Sequence, residues 1–525
     1  GARRRRARDT PMHARTTLPV LVLKFASRAS SASLLACASF AADFGPGNLV
    51  VVRVGAGAAP LTSASTAVFL DEYTPAGVLV QSLPLPVAAA GANQPLTNSG
   101  TATSEGFLSL SVDGRYLLHA GYAAAPGLAS IAGTASATTP RVVARVAMDG
   151  VVDTSTAITD GYSGANIRSA CSTDGVDIWM AGTGSTTGGV RHATSGATTS
   201  TQLSTTITNS RVVGIHAGQL HASSAVLNFQ GLSAVGTGLP TTSGQVCTLL
   251  PGFPTAIGPS SYDWAFADAA TLYVADDRGV AAGGGLQKWT FAGGSWTLAY
   301  TLSAGLTAGL RGLALVPGSN PPSFCATSAD SASKLVAIID TGAGATFGVL
   351  ATAAPNTALR GVRFVPAPAA TPFCFGDGLG TACPCGNNGT AGAGCANSIN
   401  ASGATLAATG LASVAADSFV LAGSGMPNSS ALYFQGTTQA ASGAGTAFGD
   451  GLRCAAGSVV RLGTATNVAG SSSYPNATGS IPVSIKGAVA PGATRTYQVW
   501  YRNASAFCTP STFNLTNGLS TTWTP

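Results

Sequence analysis

Charged residues are scarce in this sequence. Lys, Arg, Asp and Glu together make up 9% of the 525 residues, against about a quarter in an average soluble domain. The Glu–Lys pairs that support long exposed helices are therefore almost absent. No apolar run reaches the ~18 residues that a membrane-spanning helix needs. These shortages exclude a large helical protein and a polytopic membrane protein.

Histidine and methionine are also rare, with 5 and 4 residues. The sequence has neither a P-loop nor a dinucleotide-binding fingerprint, so we predict no metal site and no cofactor. The formal net charge of +6 owes most to arginines that precede residue 16 (Arg3, Arg4, Arg5, Arg6, Arg8 and Arg15). Because no comparable basic cluster follows them, we predict no nucleic-acid partner.

The N-terminal residues have the composition of an export signal. Basic residues are followed by apolar stretches at 18–23 and 34–42, and residues 39–41 (Ser-Phe-Ala) have the small-x-small form of a cleavage site. Lipoprotein processing at Cys37 is the alternative. We therefore predict a leader over residues 1–42 and a monomeric protein that is secreted or held at the cell surface, with no membrane span.

Cysteine usage supports export. Of the ten cysteines, six are clustered near the C-terminus: Cys374, Cys383, Cys385, Cys395, Cys454 and Cys508. An even, clustered set in an exported chain predicts three disulfides, with 15 possible connectivities. Only Pro384 separates Cys383 from Cys385, so each is expected to bond elsewhere. Zinc binding is the weaker alternative, since there is no C-x-x-C pair and no histidine after His221.

A Pro- and Ala-rich segment around residue 368 divides the chain. We predict a β-propeller over residues 43–368, a linker over 369–373 and a Cys-rich β-sandwich module over 374–525. In the module, strand-like runs lie at 418–421, 431–435, 458–462, 481–486 and 495–501. Gly and Pro turns separate these runs without a helical period, which favours a disulfide-stapled sandwich. The predicted fold is therefore all-β.

The first domain contains a repeat in which two residues, at least one of them apolar, are followed by Ala and a small or polar residue. It occurs at 118–121 (Leu-His-Ala-Gly), 179–182 (Trp-Met-Ala-Gly), 220–223 (Leu-His-Ala-Ser), 273–276 (Tyr-Val-Ala-Asp) and 324–327 (Phe-Cys-Ala-Thr). A spacing of about 40–60 residues, with further strand-like runs around each motif, is typical of propeller blades.

We predict six blades. Five carry the Ala motif, and the sixth is composite: residues 361–366 supply its inner strand, and 48–55, 67–74 and 78–85 supply the rest. Pairing the two ends of the domain in this way removes its free edges. Seven blades would require dividing the Gly/Ala/Thr-rich segment 121–139, which has the composition of a loop.

Several motifs of the second domain carry a resemblance. They are residues 375–378 (Phe-Gly-Asp-Gly), 383–387 (Cys-Pro-Cys-Gly-Asn), 394–398 (Gly-Cys-Ala-Asn-Ser), 448–454 (Phe-Gly-Asp-Gly-Leu-Arg-Cys), 497–502 (Tyr-Gln-Val-Trp-Tyr-Arg) and 523–525 (Trp-Thr-Pro). In this order they resemble a C-terminal module of exported proteins from planctomycete-type bacteria. The first domain, in stretches such as 96–106 and 272–278, resembles exported bacterial propeller-like proteins. The resemblance implies export and, for the module, surface display or sorting.

A ring of charged residues is the candidate functional site. One charged residue stands at the start of each predicted inner strand: Glu105, Arg168, Arg211, Asp263, Arg311 and Arg360. Because inner strands line the central channel, these side chains are expected to converge at one mouth. Four arginines there favour a carboxylate or sulfate ligand. The alternative is a structural collar in which the arginines bond carbonyl oxygens and the two acids.

Two functions are compatible with this pattern. The first is an exported, non-enzymatic binding or scaffold protein, whose propeller binds an extracellular polymer or a surface protein and whose module serves attachment or sorting. The second is an extracellular hydrolase or lyase that acts on an anionic carbohydrate, with Glu105 or Asp263 as base. The sequence leaves open whether the protein is an enzyme, and no catalytic residue is assigned.

Overall fold

The computed structural model describes residues 43–525 except 256–257, 367–369, 411, 413, 415–416, 477–479, 504–506 and 524–525. The leader predicted over residues 1–42 lies outside the described residues. Within them, strands dominate, and helical structure is confined to one four-residue α-helix and three 3-10 turns. None of the helices there is long and apolar enough to cross a lipid bilayer.

The propeller begins with strands that belong to its composite blade. These are β1 (Leu49–Val54), β2 (Ser65–Tyr73) and β3 (Leu79–Pro84). Blade 2 follows with β5 (Leu108–Leu110), β6 (Tyr116–Tyr122), β7 (Arg141–Ala147) and β8 (Val152–Ile158), and the short β4 (Thr97–Ser99) links β2 to β6. The segment between β6 and β7 is a loop with one 3-10 turn, Ile131–Gly133, as its composition predicts.

Four further blades are regular four-stranded antiparallel sheets. Blade 3 has β9 (Ile167–Ser172), β10 (Asp177–Gly182), β11 (Gly189–Thr194) and β12 (Thr201–Gln202), and blade 4 has β13 (Val213–His216), β14 (Gln219–Ser224), β15 (Gly231–Val235) and β16 (Cys247–Leu249). Blade 5 has β17 (Ser261–Asp268), β18 (Thr271–Asp276), β19 (Gly285–Ala292) and β20 (Ser295–Leu302). Blade 6 has β21 (Leu310–Leu315), β22 (Ser323–Ser328), β23 (Lys334–Ile339) and β24 (Gly348–Thr352).

The last propeller strand closes the ring. β25 (Ala358–Phe364) pairs antiparallel with β1, so that Leu49 lies opposite Phe364 and Val54 opposite Ala358. Blade 1 therefore reads β25-β1-β2-β3 from the channel outwards. Val50, Val51 and Val52 of β1 are fully buried on both faces, as expected of a strand enclosed by its neighbours. The prediction of six blades, one of them composite, is confirmed.

The C-terminal module is a sandwich of two main antiparallel sheets. The larger sheet has β26 (Thr371–Phe373), β29 (Ser430–Gly436), β34 (Val460–Thr466), β36 (Thr494–Arg502), β37 (Phe513–Leu515) and β38 (Gly518–Thr522), and the smaller has β27 (Thr405–Thr409), β28 (Val420–Ser424) and β35 (Ser472–Tyr474). Two ribbons, β30 (Thr438–Gln439) with β33 (Ala455–Ala456) and β31 (Thr446–Phe448) with β32 (Gly451–Arg453), complete it. Both main sheets contribute side chains, among them Leu421, Tyr433 and Val499, to one buried core.

The predicted disulfide staples are confirmed. Cys374 bonds Cys454, Cys383 bonds Cys395, and Cys385 bonds Cys508. Cys383 and Cys385 thus have separate partners, as the single proline between them predicts. Cys171, Cys247 and Cys325 are free and buried.

Two features of the module differ from the sequence prediction. The strand predicted at 481–486 is instead the helix α1 (Val483–Lys486). Pro482 has no N–H to give to a sheet, and the Asp417 carboxylate accepts the Ser484 amide at 2.7 Å. In addition, β26 occupies most of the linker predicted over 369–373, because it pairs with β38 at the edge of the larger sheet.

The two disulfides that start within the Cys-Pro-Cys turn should stabilise the module unequally. Their sequence separations are 12 for Cys383–Cys395 and 123 for Cys385–Cys508. A longer closed loop removes more entropy from the unfolded chain, so the double variant Cys385→Ser/Cys508→Ser should lose about 1–2 kcal/mol more than Cys383→Ser/Cys395→Ser. Urea unfolding of the full-length variants measures the difference. Equal losses would contradict this entropic account.

Candidate functional site

Five of the six predicted ring residues meet at one mouth of the channel. Glu105 lies 3.9 Å from Arg360, and Arg168 lies near Arg211. The guanidinium groups of Arg211 and Arg311 lie 4.0 and 5.9 Å from the centre of the Tyr262 ring, which stands between them. We call this group of side chains the arginine mouth. Around the channel they follow one another in the order Arg360, Glu105, Arg168, Arg211, Tyr262 and Arg311.

β-Bulges in the inner strands lie at arginines of the mouth and determine where their side chains point. In β25 the register against β1 shifts so that Arg360 and Gly361 together lie opposite Val52. The same two-against-one pattern occurs at Arg311–Gly312 in β21. Arg168 is likewise an extra residue in β9. Such β-bulges re-aim side chains and are common beside functional sites.

The repeat that identifies the blades lies opposite these bulges. Thr327, the last residue of its motif, accepts the Gly312 amide at 2.9 Å through its hydroxyl and donates to the Arg360 carbonyl. Ser223 accepts the Val212 amide at 3.1 Å in the same way. A small or hydroxyl residue thus recurs there because it satisfies or makes room for the bulged backbone.

Asp263 is the ring residue that lies elsewhere. β17 has a bulge between Ser261 and Trp264, which places Tyr262 at the mouth and turns Asp263 to the neighbouring side of the strand. The buried Asp263 carboxylate accepts two hydrogen bonds from Arg363, at 2.7 and 3.0 Å, and one from the Leu313 amide at 3.0 Å. The expected convergence therefore fails for Asp263.

Glu105 is enclosed by donors. Its Oε1 accepts hydrogen bonds from the Tyr122 hydroxyl and the Asn166 side-chain amide, each at 2.5 Å. Its Oε2 accepts the Ser99 amide at 2.9 Å. Burial and the Glu105 carboxylate hold the pKa of Tyr122 well above its ordinary value, so this hydroxyl keeps its proton and donates. The carboxylate is fully buried and anchored.

The arginines are held by carbonyl oxygens but keep unused donors. Arg360 Nη2 donates to the carbonyls of Ser99 and Gly100, at 2.6 and 3.1 Å, and Arg168 Nη1 donates to the Ser210 carbonyl at 3.1 Å. Arg360 Nη1 and Arg168 Nε are buried and have no hydrogen-bond partner among the described residues. A buried donor left unpaired costs about 1–3 kcal/mol, and more when it is charged.

Positive charge exceeds negative charge at the mouth. Arg311 contacts the Asp277 carboxylate at 3.3 Å and Arg360 faces Glu105, while neither Arg168 nor Arg211 forms an ion pair with another described residue. Burial first, and then Arg211, lowers the pKa of Arg168 to about 10. Burial also lowers the pKa of Arg360 to about 10, and Arg311 adds to this effect against the opposing pull of Glu105. Both groups stay protonated at neutral pH.

A cavity opens beside these groups. It has a volume of about 370 Å³, and its lining includes Glu105, Arg311, Arg360 and the loop residues 100–103. Below it, the Phe107 and Tyr262 rings lie 5.6 Å apart, centre to centre, across the channel from opposite blades. Both are buried, so this aromatic contact closes the floor of the mouth.

Sequence reasoning missed three contributors to these contacts. Tyr262 was missed because the prediction considered charged residues and chose its neighbour Asp263. The bulge in β17 places Tyr262, in place of Asp263, among the residues at the mouth. Asp277 directly follows the Ala motif of blade 5. An acidic residue at this point of the sequence could have been considered as a partner of a ring arginine. Arg363 lies in the same strand as Arg360, and no sequence pattern pairs it with Asp263. Among the described residues, no three His, Cys, Asp or Glu side chains cluster so as to hold a metal ion.

Comparison with known proteins gives only distant similarities. No family model and no curated protein matches the chain. Similar solved structures include candidate 6-phosphogluconolactonases from Bacteroides uniformis (12% identity, 58% of this chain and 83% of that chain, TM-score 0.34) and Bacteroides fragilis (14%, 59% and 82%, TM-score 0.36). Another is a hypothetical selenium-binding protein from Sulfolobus tokodaii (8%, 61% and 93%, TM-score 0.34). The strand pairing itself establishes the fold.

A buried histidine beside the mouth should make the fold acid-sensitive. His119 is fully buried, donates to Asn98 at 2.9 Å, and has its pKa lowered from 6.5 to about 3 by burial and by Arg360. Between about pH 6.5 and pH 3, His119 is therefore protonated in the unfolded chain but neutral in the folded chain. From pH 7 to pH 5 this one group should remove about 2 kcal/mol of stability.

Urea unfolding of wild type and His119→Gln at the two pH values measures this contribution. The variant lacks the titrating group, so its stability should fall less on acidification by about that amount. An identical pH dependence in both proteins would refute the assignment.

Proposed function

We propose that this chain is an exported, non-enzymatic binding protein that takes an anionic group at the arginine mouth. The group belongs to an extracellular polymer or a surface protein. The observation that carries the proposal is a set of four arginines beside two carboxylates, in which two buried guanidinium nitrogens have no hydrogen-bond partner among the described residues.

An anion supplies what this arrangement lacks. Sulfate and carboxylate oxygens accept the remaining guanidinium hydrogens, and arginine binds such groups through paired, charge-assisted hydrogen bonds. The same anion also relieves the repulsion between Arg168 and Arg211, which lowers the pKa of Arg168. The carbonyl hydrogen bonds that a structural collar would use are present too, and they fix the arginines in place for binding.

Binding is favoured over hydrolysis or lyase chemistry by the state of the two candidate bases. A general base needs a carboxylate oxygen within reach of the substrate proton. Glu105 is fully buried and accepts three hydrogen bonds, and Asp263 is saturated by Arg363 and backbone amides outside the mouth. Neither carboxylate is free for proton transfer.

The C-terminal module supports a location outside the cytoplasm. Its three disulfides are typical of extracellular domains, where the oxidising environment preserves them. We assign the module to attachment or sorting, and the propeller to ligand capture.

Removing arginines from the mouth should weaken binding of a sulfated polymer. In full-length protein, Arg211→Ala and Arg311→Ala should each lower the affinity for dextran sulfate by about tenfold, the effect of losing a charge-assisted hydrogen-bond pair. Biolayer interferometry near physiological salt measures the affinity, and uncharged dextran is the matched polymer.

Arg115→Ala is the matched control variant. Arg115 pairs with Asp113 and is 47% exposed, so its removal changes the net charge equally without touching the mouth. The proposal requires that this variant binds like wild type. Equal binding by all variants would refute the mouth as the site, and lowered melting temperatures without any binding by wild type would assign the arginines to a collar.

A further inference from the structure

The channel holds a second cavity towards the C-terminal ends of the inner strands. Its volume is about 630 Å³, within the ~300–1,000 Å³ of small-molecule sites. Every inner strand contributes to its lining, and Gly410, Thr521 and Thr522 of the module also border it. We call it the channel chamber. Phe107 lines the cavity of the arginine mouth, and neither Phe107 nor Tyr262 lines the chamber.

The charged groups of the chamber are a single ion pair. Asp263 and Arg363 line it, and no other Asp, Glu, Lys or Arg among the described residues does so. Each Asp263 oxygen accepts two hydrogen bonds, one from Arg363 and one from a backbone amide, so the carboxylate has no capacity left. The Asp263 side chain is 1% exposed, whereas that of Arg363 is 19% exposed. Arg363 is therefore the group that a ligand meets.

The guanidinium of Arg363 has one occupied edge and one open edge. Asp263 accepts from Nη1 and Nη2, and Nη1 also donates to the carbonyls of Leu313 and Val362. The Nε–H and the second hydrogen of Nη2 have no hydrogen-bond partner among the described residues. These two hydrogens form the side-on fork of a guanidinium group, which matches the two oxygens of a carboxylate.

The remaining walls of the chamber suit an apolar body. Ile215, Trp264, Phe266 and Leu315 all line it. Burial lowers the pKa of the lining His216, whose ring stacks on Phe266 with centres 4.0 Å apart, so His216 is neutral at pH 7. Apolar walls with a few oriented polar groups are the usual composition of a ligand site.

We propose that the channel chamber binds a small amphipathic carboxylate. The ligand's carboxylate accepts from the open edge of Arg363, and its apolar or aromatic body packs against Trp264 and Phe266. Asp263 holds the guanidinium in orientation and neutralises it when the chamber is empty. This site is separate from the arginine mouth and does not depend on the function proposed there.

Isothermal titration of the full-length protein with 3-phenylpropionate tests the proposal, with 3-phenylpropionamide as the neutral probe of the same shape. We expect saturable binding of the carboxylate and binding of the amide weaker by about tenfold or more. Arg363→Lys keeps the ion pair with Asp263 but removes the fork, so it should show the same loss. Ile215→Trp fills the chamber without changing charge and should abolish binding.

Arg211→Ala is the control for capture of the probe at the arginine mouth, because Arg211 does not line the chamber, and it should bind 3-phenylpropionate like wild type. Loss of binding in this variant would place the probe at the mouth and overturn the proposal. Absence of saturable binding by wild type, equal affinity for the amide, or wild-type binding by Ile215→Trp would each overturn it as well. If Arg363→Lys does not fold, Ile215→Trp and the amide decide the question.

Discussion

The antiparallel pairing of β1 with β25 is the contact on which the rest of the propeller depends. It joins strands from the two ends of the domain, with Leu49 opposite Phe364, so that both ends belong to one complete blade. Only a closed ring brings all six inner strands to one axis. Side chains far apart in sequence, such as Glu105 and Arg360, then become neighbours across a blade boundary.

Closure also explains why the mouth can hold buried cations. Three of the four guanidinium groups are fixed by carbonyl oxygens that follow in the ring, Arg168 by Ser210, Arg211 by Ser261 and Arg360 by Ser99 and Gly100, whereas Arg311 contacts the Asp277 carboxylate. These bonds offset part of the cost of burying a charge, and they also hold the blades together. They do not use every donor: Nη1 of Arg360 has no hydrogen-bond partner among the described residues, and Arg360 lines the cavity of the mouth. Stability and the proposed binding thus draw on the same side chains.

Much of this architecture could be predicted from the sequence, because it depends on periodic features. The Ala motif marks the blades, and the alternation around it marks the strands. The composite blade follows from the need to close the ring. The helix α1 was missed because its start depends on a cap from Asp417, 67 residues away from Ser484. The place of Asp263 was missed because a bulge of one residue has no sequence signature, yet it reverses the side to which each following residue points.

That bulge in β17 determines the chemistry of both ends of the channel. With Asp263 at the mouth, a third carboxylate would face the four arginines and remove most of their excess charge. The shift puts Tyr262 there instead, and its ring face attracts the cations of Arg211 and Arg311 without neutralising them. Asp263 moves to the chamber, where it compensates Arg363 and orients it. One register shift therefore leaves the mouth cationic and the chamber close to neutral, which is why we propose different ligands for the two ends.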